Sequence, residues 1–145
     1  MGDLTKNLSV SEFACDCNYP DCPAKEAAHM PLVLAIQEAV DYFTAKKGAR
    51  VIAEITDGNR CFKNNVDIQM KWSKKTREEA EKSKSKHLNF IAADHRLKVK
   101  TSTGWQIIPP QELFDYYAGK YPNSHGIGIY SNRVHLDTRP YKARW

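Results

Sequence analysis

Residues 126–137 read Gly126-Ile-Gly-Ile-Tyr130, then Ser131-Asn132, then Arg133-Val-His-Leu-Asp137. Two apolar, β-branched runs on either side of a short polar pair are the pattern of two antiparallel strands joined by a turn. His135 and Asp137 are two residues apart on the second run, so their side chains leave the same face of the strand. The stretch therefore predicts a sheet with a polar site on one face.

The rest of the chain supplies more strands and two helices. Four upstream runs have the same apolar and β-branched content and end at turn residues: 50–56, 89–94, 97–101 and 105–108. Two segments, 31–47 and 111–120, repeat apolar residues at helical spacing, and a proline stands at the start of each. This order of elements predicts an α+β fold, with an antiparallel sheet and flanking helices.

Length and composition favour one domain. The chain has 145 residues, of which 41% are hydrophobic, which is enough for one packed core and short for two. We therefore expect a single domain over residues 1–145. Nothing approaches the roughly 20 apolar residues of a membrane-spanning helix, and Met1 to Val10 lack the layout of a secretory signal. If the protein acts outside the cytoplasm, something else must release it there.

Positive charge is concentrated in the middle of the chain. The net charge is +5, and residues 60–100 hold 12 Lys or Arg against 5 Asp or Glu. Within them, about 66–86 is a basic, polar insertion that is either an exposed helix beginning at Ser73 or a mobile segment. Such a surface suits a polyanion, whereas a solvated helix face explains the same pattern without any ligand.

Four cysteines form a pattern that composition alone does not resolve. Cys15, Cys17 and Cys22 share a short loop, and Cys61 lies far along the chain. The count allows two disulfides, one structural metal site or free thiols, and the spacing matches no standard zinc finger. We expect these cysteines to be structural.

A second polar pair complements the hairpin. His87 lies seven residues before Asp94, and the residues between them are apolar enough for a buried edge of the core. A buried carboxylate is very costly without a partner, and a metal ion is an adequate one. With His135, these residues supply two nitrogens and one oxygen and leave a fourth zinc position for water, as in catalytic zinc sites.

The chain resembles the zinc D-alanyl-D-alanine carboxypeptidase and endopeptidase superfamily of peptidoglycan peptidases, whose fold is shared with the hedgehog signalling domain. Several separated motifs carry the resemblance, in the right order and over most of the chain. They are Leu8-Ser-Val-Ser-Glu-Phe-Ala-Cys15, Ile55-Thr-Asp-Gly-Asn-Arg-Cys61, Ser85-Lys-His87 with Ala92 and Asp94, Gly126-Ile-Gly-Ile-Tyr130, Val134-His-Leu-Asp-Thr-Arg139 and Ala143-Arg-Trp145.

The resemblance implies a role for each matching residue. His87, Asp94 and His135 correspond to the zinc ligands. Arg60 corresponds to a residue that faces the substrate, often its terminal carboxylate, for which a guanidinium is suited. Ser85 corresponds to a motif position from which it could bind the peptide. We assign Asp137 as the general acid/base, since it shares a face with His135.

Three positions depart from the usual family pattern. Asn132 stands where many relatives carry Glu or Asp, Asp57 stands where serine is common, and Phe90 stands where glycine is usual. The resemblance therefore predicts a zinc peptidase of peptidoglycan stem peptides, made in the cytoplasm and acting at the cell wall as a phage or prophage lysis protein would. There are two alternatives. One is a zinc-containing module on the same fold that binds wall or protein partners without catalysis. The other, less favoured, is a nucleic-acid binder that uses residues 60–100 and has no need of zinc.

Overall fold

Six strands form one sheet in the computed structural model, which describes residues 2–145. In chain order they are β1 (Val51–Asp57), β2 (Ala92–Thr101), β3 (Gly104–Ile107), β4 (Gly126–Ile129), β5 (Val134–Asp137) and β6 (Ala143–Arg144). The expected hairpin of 126–137 is present as β4 and β5. The runs 89–94 and 97–101, expected as two strands, are one long strand, β2.

The sheet is open and mixed. Its order is β1-β2-β5-β4-β6, with β3 paired to the far end of β2. All pairs are antiparallel except β4 with β6, which run parallel. The expected antiparallel sheet is therefore wrong for this last pair. Ala143–Arg144 is too short to leave a strand pattern in the sequence.

Helices flank the sheet. They are α1 (Met30–Lys47), α2 (Phe62–Trp72), α3 (Arg77–Glu81) and α4 (Pro110–Lys120), and 3-10 turns cover Val10–Phe13 and Lys86–Asn89. The predicted helices 31–47 and 111–120 are confirmed to within one residue. Gly48 ends α1 in the left-handed region (φ 62°), which glycine adopts without strain. Within residues 2–145, no helix is both long and apolar enough to cross a membrane.

The core lies between the sheet and helices α1 and α4. Leu32, Ile36 and Phe43 of α1 are buried, as are Leu113 and Tyr117 of α4. Each large side chain removed from water in this way contributes about 1.5–3 kcal/mol. The burial fixes one face of the sheet against the helices.

The basic segment contains the end of α2 and the whole of α3, and neither helix begins at Ser73 as the sequence suggested. Ser73 ends α2 instead of starting a helix. The next helix, α3, is capped by Thr76, whose hydroxyl accepts the Glu79 backbone N–H while the Glu79 carboxylate accepts that of Thr76. Of the two expectations for this segment, the exposed helix is therefore present only over Arg77–Glu81, and it begins after Thr76 instead of at Ser73.

Candidate metal centre

Strand register brings the first two candidate ligands together. Asp94 on β2 and His135 on β5 are directly opposite each other in the sheet. Both are buried, and Oδ1 of Asp94 lies 2.9 Å from Nδ1 of His135. The next residue along β2, His95, points to the opposite face and bonds the Tyr117 hydroxyl of α4 at 2.8 Å. Burial lowers the pKa of His95 to about 4, so this ring is a neutral part of the core.

His87 reaches the same point from the 3-10 turn. Its Nδ1 lies 2.6 Å from the carbonyl oxygen of Gly58. Because a carbonyl can only accept, Nδ1 carries a proton and donates it to Gly58, which leaves Nε2 as the ring nitrogen turned towards Asp94. That Nε2 faces Oδ1 of Asp94 at 3.5 Å. Gly58 must be a glycine for this arrangement, since a Cβ there would overlap the backbone of Phe13.

The three side chains converge on one point. One ligand atom from each of His87, Asp94 and His135 lies within 4.8 Å of the others, and all three residues are buried. Zinc bonds of about 2.0–2.1 Å in tetrahedral directions separate neighbouring ligand atoms by about 3.3 Å. The observed separations of 2.9 and 3.5 Å bracket that value. The donor set and its spacing therefore suit a divalent metal with an open position.

The surroundings of Asp94 and His135 favour the charged form of both side chains. Burial by itself raises the pKa of Asp94, but hydrogen bonds to His135 and His87 outweigh burial and hold that pKa well below its usual range. Burial lowers the pKa of His135, yet its hydrogen bonds to Asp137 and Asp94 prevail and raise that pKa above the ordinary value. Without a metal, the His135 ring donates to a carboxylate on each side. A bound cation would replace the proton on Nδ1, the nitrogen that faces Asp94.

Asp137 lies behind His135 and is wholly buried. Its Oδ2 is 2.8 Å from Nε2 of His135, the nitrogen away from Asp94. The carboxylate also accepts the backbone N–H groups of Gly126 and Arg139, and two bonds from the Arg139 guanidinium at 2.7 and 2.6 Å. Burial raises the pKa of Asp137, but the bonds from His135 and Arg139 outweigh it and hold that pKa well below its usual range. This environment suits a carboxylate that orients a histidine better than one that accepts protons from water.

Arg60 is committed to a neighbouring carboxylate. Its guanidinium forms two bonds with Asp57, one of them from Nε to Oδ1 at 3.2 Å, and the pair is largely buried. An irregularity in the pairing of β1 with β2 sets Asp57 opposite Asp94. The Arg60 backbone N–H donates to the carbonyl of His87 at 3.0 Å, so this residue is fixed beside the metal ligands. The Arg60 guanidinium, expected to bind substrate, is already hydrogen-bonded to the Asp57 carboxylate.

Ser85 and Phe90 bracket the turn that carries His87. Ser85 is half-buried, and its carbonyl accepts the Leu88 N–H at 3.2 Å. Phe90 ends the turn in the left-handed region (φ 61°), a conformation that costs a non-glycine residue about 1–2 kcal/mol. Glycine adopts this conformation without that cost. Phe90 instead packs its ring against the four cysteines.

Two residues at the centre had no role in our sequence interpretation. The Arg133 guanidinium lies 3.5 Å from Oδ2 of Asp94. The Trp145 ring is about half exposed and covers His135, with ring centroids 5.0 Å apart. Parallel pairing of β6 with β4 places it there. The motif Ala143-Arg-Trp145 was the available signal for Trp145.

Gly126 allows the close approach of the Asp137 carboxylate. A Cβ at this position would overlap both Asp137 and the Arg139 side chain, which are held by the bonds described above. We expect Gly126→Ala to lower the free energy of unfolding by about 1–3 kcal/mol, as overpacking does. Urea denaturation measures the change. Gly119→Ala is the matched control because nothing lies within 4 Å of its added Cβ, and a helical alanine is favoured over glycine by about 0.5–1 kcal/mol. Equal stability of the two variants contradicts this packing.

Comparison of the chain with models of known protein families, with curated proteins and with solved structures found no match.

Proposed function

We propose that the chain is a zinc-dependent peptidase that hydrolyses an amide bond in peptidoglycan stem peptides. The observation that carries the proposal is the convergence of buried His87, Asp94 and His135, with Nε2 of His87 facing the Asp94 carboxylate. Two nitrogens and one oxygen, with one position left open, are the ligand set of catalytic zinc. The family that the motifs resemble supplies the substrate class.

The residues around the proposed metal ligands have two roles, which are to orient the ligands and to bind the substrate. When bound, zinc supplies a Lewis acid that polarises the scissile carbonyl and makes water a better nucleophile. Asp137 fixes the ring of His135, and the Gly58 carbonyl fixes that of His87, so both ligands are oriented before substrate arrives. Ser85 lies next to the His87 turn, where its hydroxyl could bond the peptide. Arg133, beside Asp94, offers a cation to a substrate carbonyl.

The ion pair between Arg60 and Asp57 favours cleavage of an internal peptide bond over removal of a terminal residue. A carboxypeptidase must bind the terminal carboxylate of its substrate, which a free guanidinium does well. Here the guanidinium already binds Asp57, and its Nη1 lies 3.5 Å from Asn65 Oδ1. A substrate with a terminal carboxylate would have to displace Asp57, whereas an internal peptide bond brings no such charge. We therefore propose an endopeptidase.

Digestion of purified peptidoglycan, analysed by mass spectrometry, tests the proposal. The zinc-loaded protein is expected to release fragments cut at one amide bond within the stem peptide. Removal of the metal with a chelator should abolish the cleavage, and added zinc should restore it. Cleavage that survives complete metal removal excludes a metallopeptidase.

Asp57→Ser tests the role of Arg60. Loss of the ion pair frees the guanidinium, and a charge-assisted hydrogen bond to a terminal carboxylate is worth about 1.5–3 kcal/mol. We expect release of terminal residues, relative to internal cleavage, to rise by at least about tenfold, as measured on defined stem peptides. Asp67→Ser is the control, since Asp67 is an aspartate bonded to Tyr19 and not to Arg60. If the ratio of terminal release to internal cleavage is the same in Asp57→Ser and Asp67→Ser, Arg60 does not contact the terminal carboxylate.

One observation favours a second candidate, a zinc-containing module that binds without catalysis. The only assigned proton acceptor, Asp137, is buried and bonded to five donor groups, and Asn132 replaces the carboxylate that many relatives of the resembled family carry. A protein of this kind binds zinc and peptidoglycan peptides but leaves them intact in the same digestion.

A further inference from the structure

The four cysteines meet in a second cluster away from the histidines. Cys15, Cys17 and Cys22 come from the loop after the first 3-10 turn, and Cys61 caps the start of α2. All four are buried and free, and their sulfurs lie within 4.8 Å of one another. Two disulfides would place the sulfurs in two separate pairs, whereas here all four sulfurs lie close to one another. One shared partner at the centre accounts for it.

The spacing of the sulfurs suits a tetrahedral metal ion. Zinc–sulfur bonds are about 2.3 Å, so two sulfurs on a tetrahedron are about 3.8 Å apart. Sγ of Cys61 and Sγ of Cys17 lie 3.8 Å apart. Sulfurs of a disulfide lie only about 2.05 Å apart.

Donor groups surround the cluster as they surround metal-bound thiolates. The Asn64 side-chain amide donates to the Cys15 sulfur at 3.2 Å, and the Asn64 backbone N–H donates to the Cys61 sulfur at 3.4 Å. The Cys61 backbone N–H lies 3.5 Å from the Cys15 sulfur. The Lys25 ammonium donates to the carbonyls of Cys15 and Cys17, which brings a positive charge to the same loop. Four thiolates around a divalent ion carry a net negative charge, and these groups stabilise it.

We propose that Cys15, Cys17, Cys22 and Cys61 bind a structural Zn²⁺ ion, separate from the one proposed at the histidines. Each thiol loses its proton to solvent as its sulfur binds, so the zinc–sulfur bonds replace four S–H bonds. Four protein ligands leave no open position, which distinguishes a structural from a catalytic zinc site. The sequence left this site as one alternative beside disulfides and free thiols, because Cys61 joins the other three cysteines only through the fold.

The site would tie the N-terminal loop to the strand-end loop beside the candidate metal centre. Cys61 directly follows Arg60, whose backbone N–H bonds the carbonyl of His87. The Asn59 N–H donates to the carbonyl of Phe13 at 2.8 Å, close to Cys15. Zinc at the cysteines therefore fixes the segment that carries Gly58, the partner of the His87 ring.

Zinc content and X-ray absorption of the purified protein test the proposal. We expect two equivalents of zinc in the wild type, one in His135→Ala and one in Cys22→Ser. The zinc of His135→Ala should show a shell of four sulfurs, and this measurement needs no cysteine variant to fold. Cys22→Ser should also lower the melting temperature. Native alkylation should leave the four thiols unmodified until the metal is removed.

The outcomes separate this proposal from the one for the histidines. Zinc with four sulfurs in His135→Ala supports the cysteine site whatever the activity of the wild type. A His135→Ala protein without zinc, or with zinc that lacks sulfur ligands, overturns it. Disulfides among the four cysteines in mass spectra of the freshly purified protein overturn it too, and iron in place of zinc overturns the choice of metal.

Discussion

His135→Ala is expected to reduce kcat/KM for peptidoglycan peptides by at least about a thousandfold, or about 4 kcal/mol of transition-state stabilisation. The substitution removes one of three metal ligands and leaves the Asp94 and Asp137 carboxylates without the ring that joins them. Two buried carboxylates without that partner also repel each other. Stem-peptide cleavage, followed by mass spectrometry at a fixed excess of zinc, measures the loss.

His29→Ala is the matched control for this prediction. His29 is a partly buried histidine that bonds the Thr138 hydroxyl and belongs to neither cluster of candidate ligands. Its removal should leave kcat/KM within about a few fold, since only one net hydrogen bond of about 1 kcal/mol is lost. A similar loss in both variants would mean that His135→Ala acts through stability alone. Unchanged activity in His135→Ala would falsify the metal site.

Sequence patterns predicted the long elements of the fold because these have a strong periodicity. α1 repeats apolar residues over several turns, and β4 and β5 surround a clear turn. The helix boundary at Ser73 was misplaced because serine suits either end of a helix, and the capping pair of Thr76 and Glu79 decides where the next helix begins. β6 is stabilised by pairing with β4, a long-range contact that no local pattern reveals.

The candidate ligands were identifiable in the sequence, whereas their surroundings were not. The same-face spacing of His135 and Asp137 holds, and register places Asp94 opposite His135. The partners of Asp57 and Asp137 are arginines within three residues, a separation at which a sequence does not tell a buried pair from a solvated one. Burial decides the difference, and Asp137 is buried in β5, which pairs with β2 on one side and β4 on the other.

Asp137→Asn is expected to weaken zinc binding at the histidines by about 10–100-fold, as loss of a ligand's supporting carboxylate does. The asparagine oxygen can still accept the His135 Nε2–H, but it lacks the charge that holds the ring and balances Arg139. Because the carboxylate faces the far nitrogen of His135, we expect kcat at saturating zinc to fall by less than about tenfold. A general base contributes about 10²–10⁴-fold, and its loss is not restored by zinc.

Activity measured against buffered free zinc separates the two roles of Asp137. If Asp137 orients His135, the activity of Asp137→Asn rises at a higher free zinc concentration than that of the wild type and reaches nearly the same maximum. In the general-base role, the plateau itself falls by about 10²–10⁴-fold at any zinc concentration. Arg139→Gln is the companion variant, because it removes the guanidinium but keeps the carboxylate on His135. Its curve should move less than that of Asp137→Asn, since the negative charge behind the His135 ring remains.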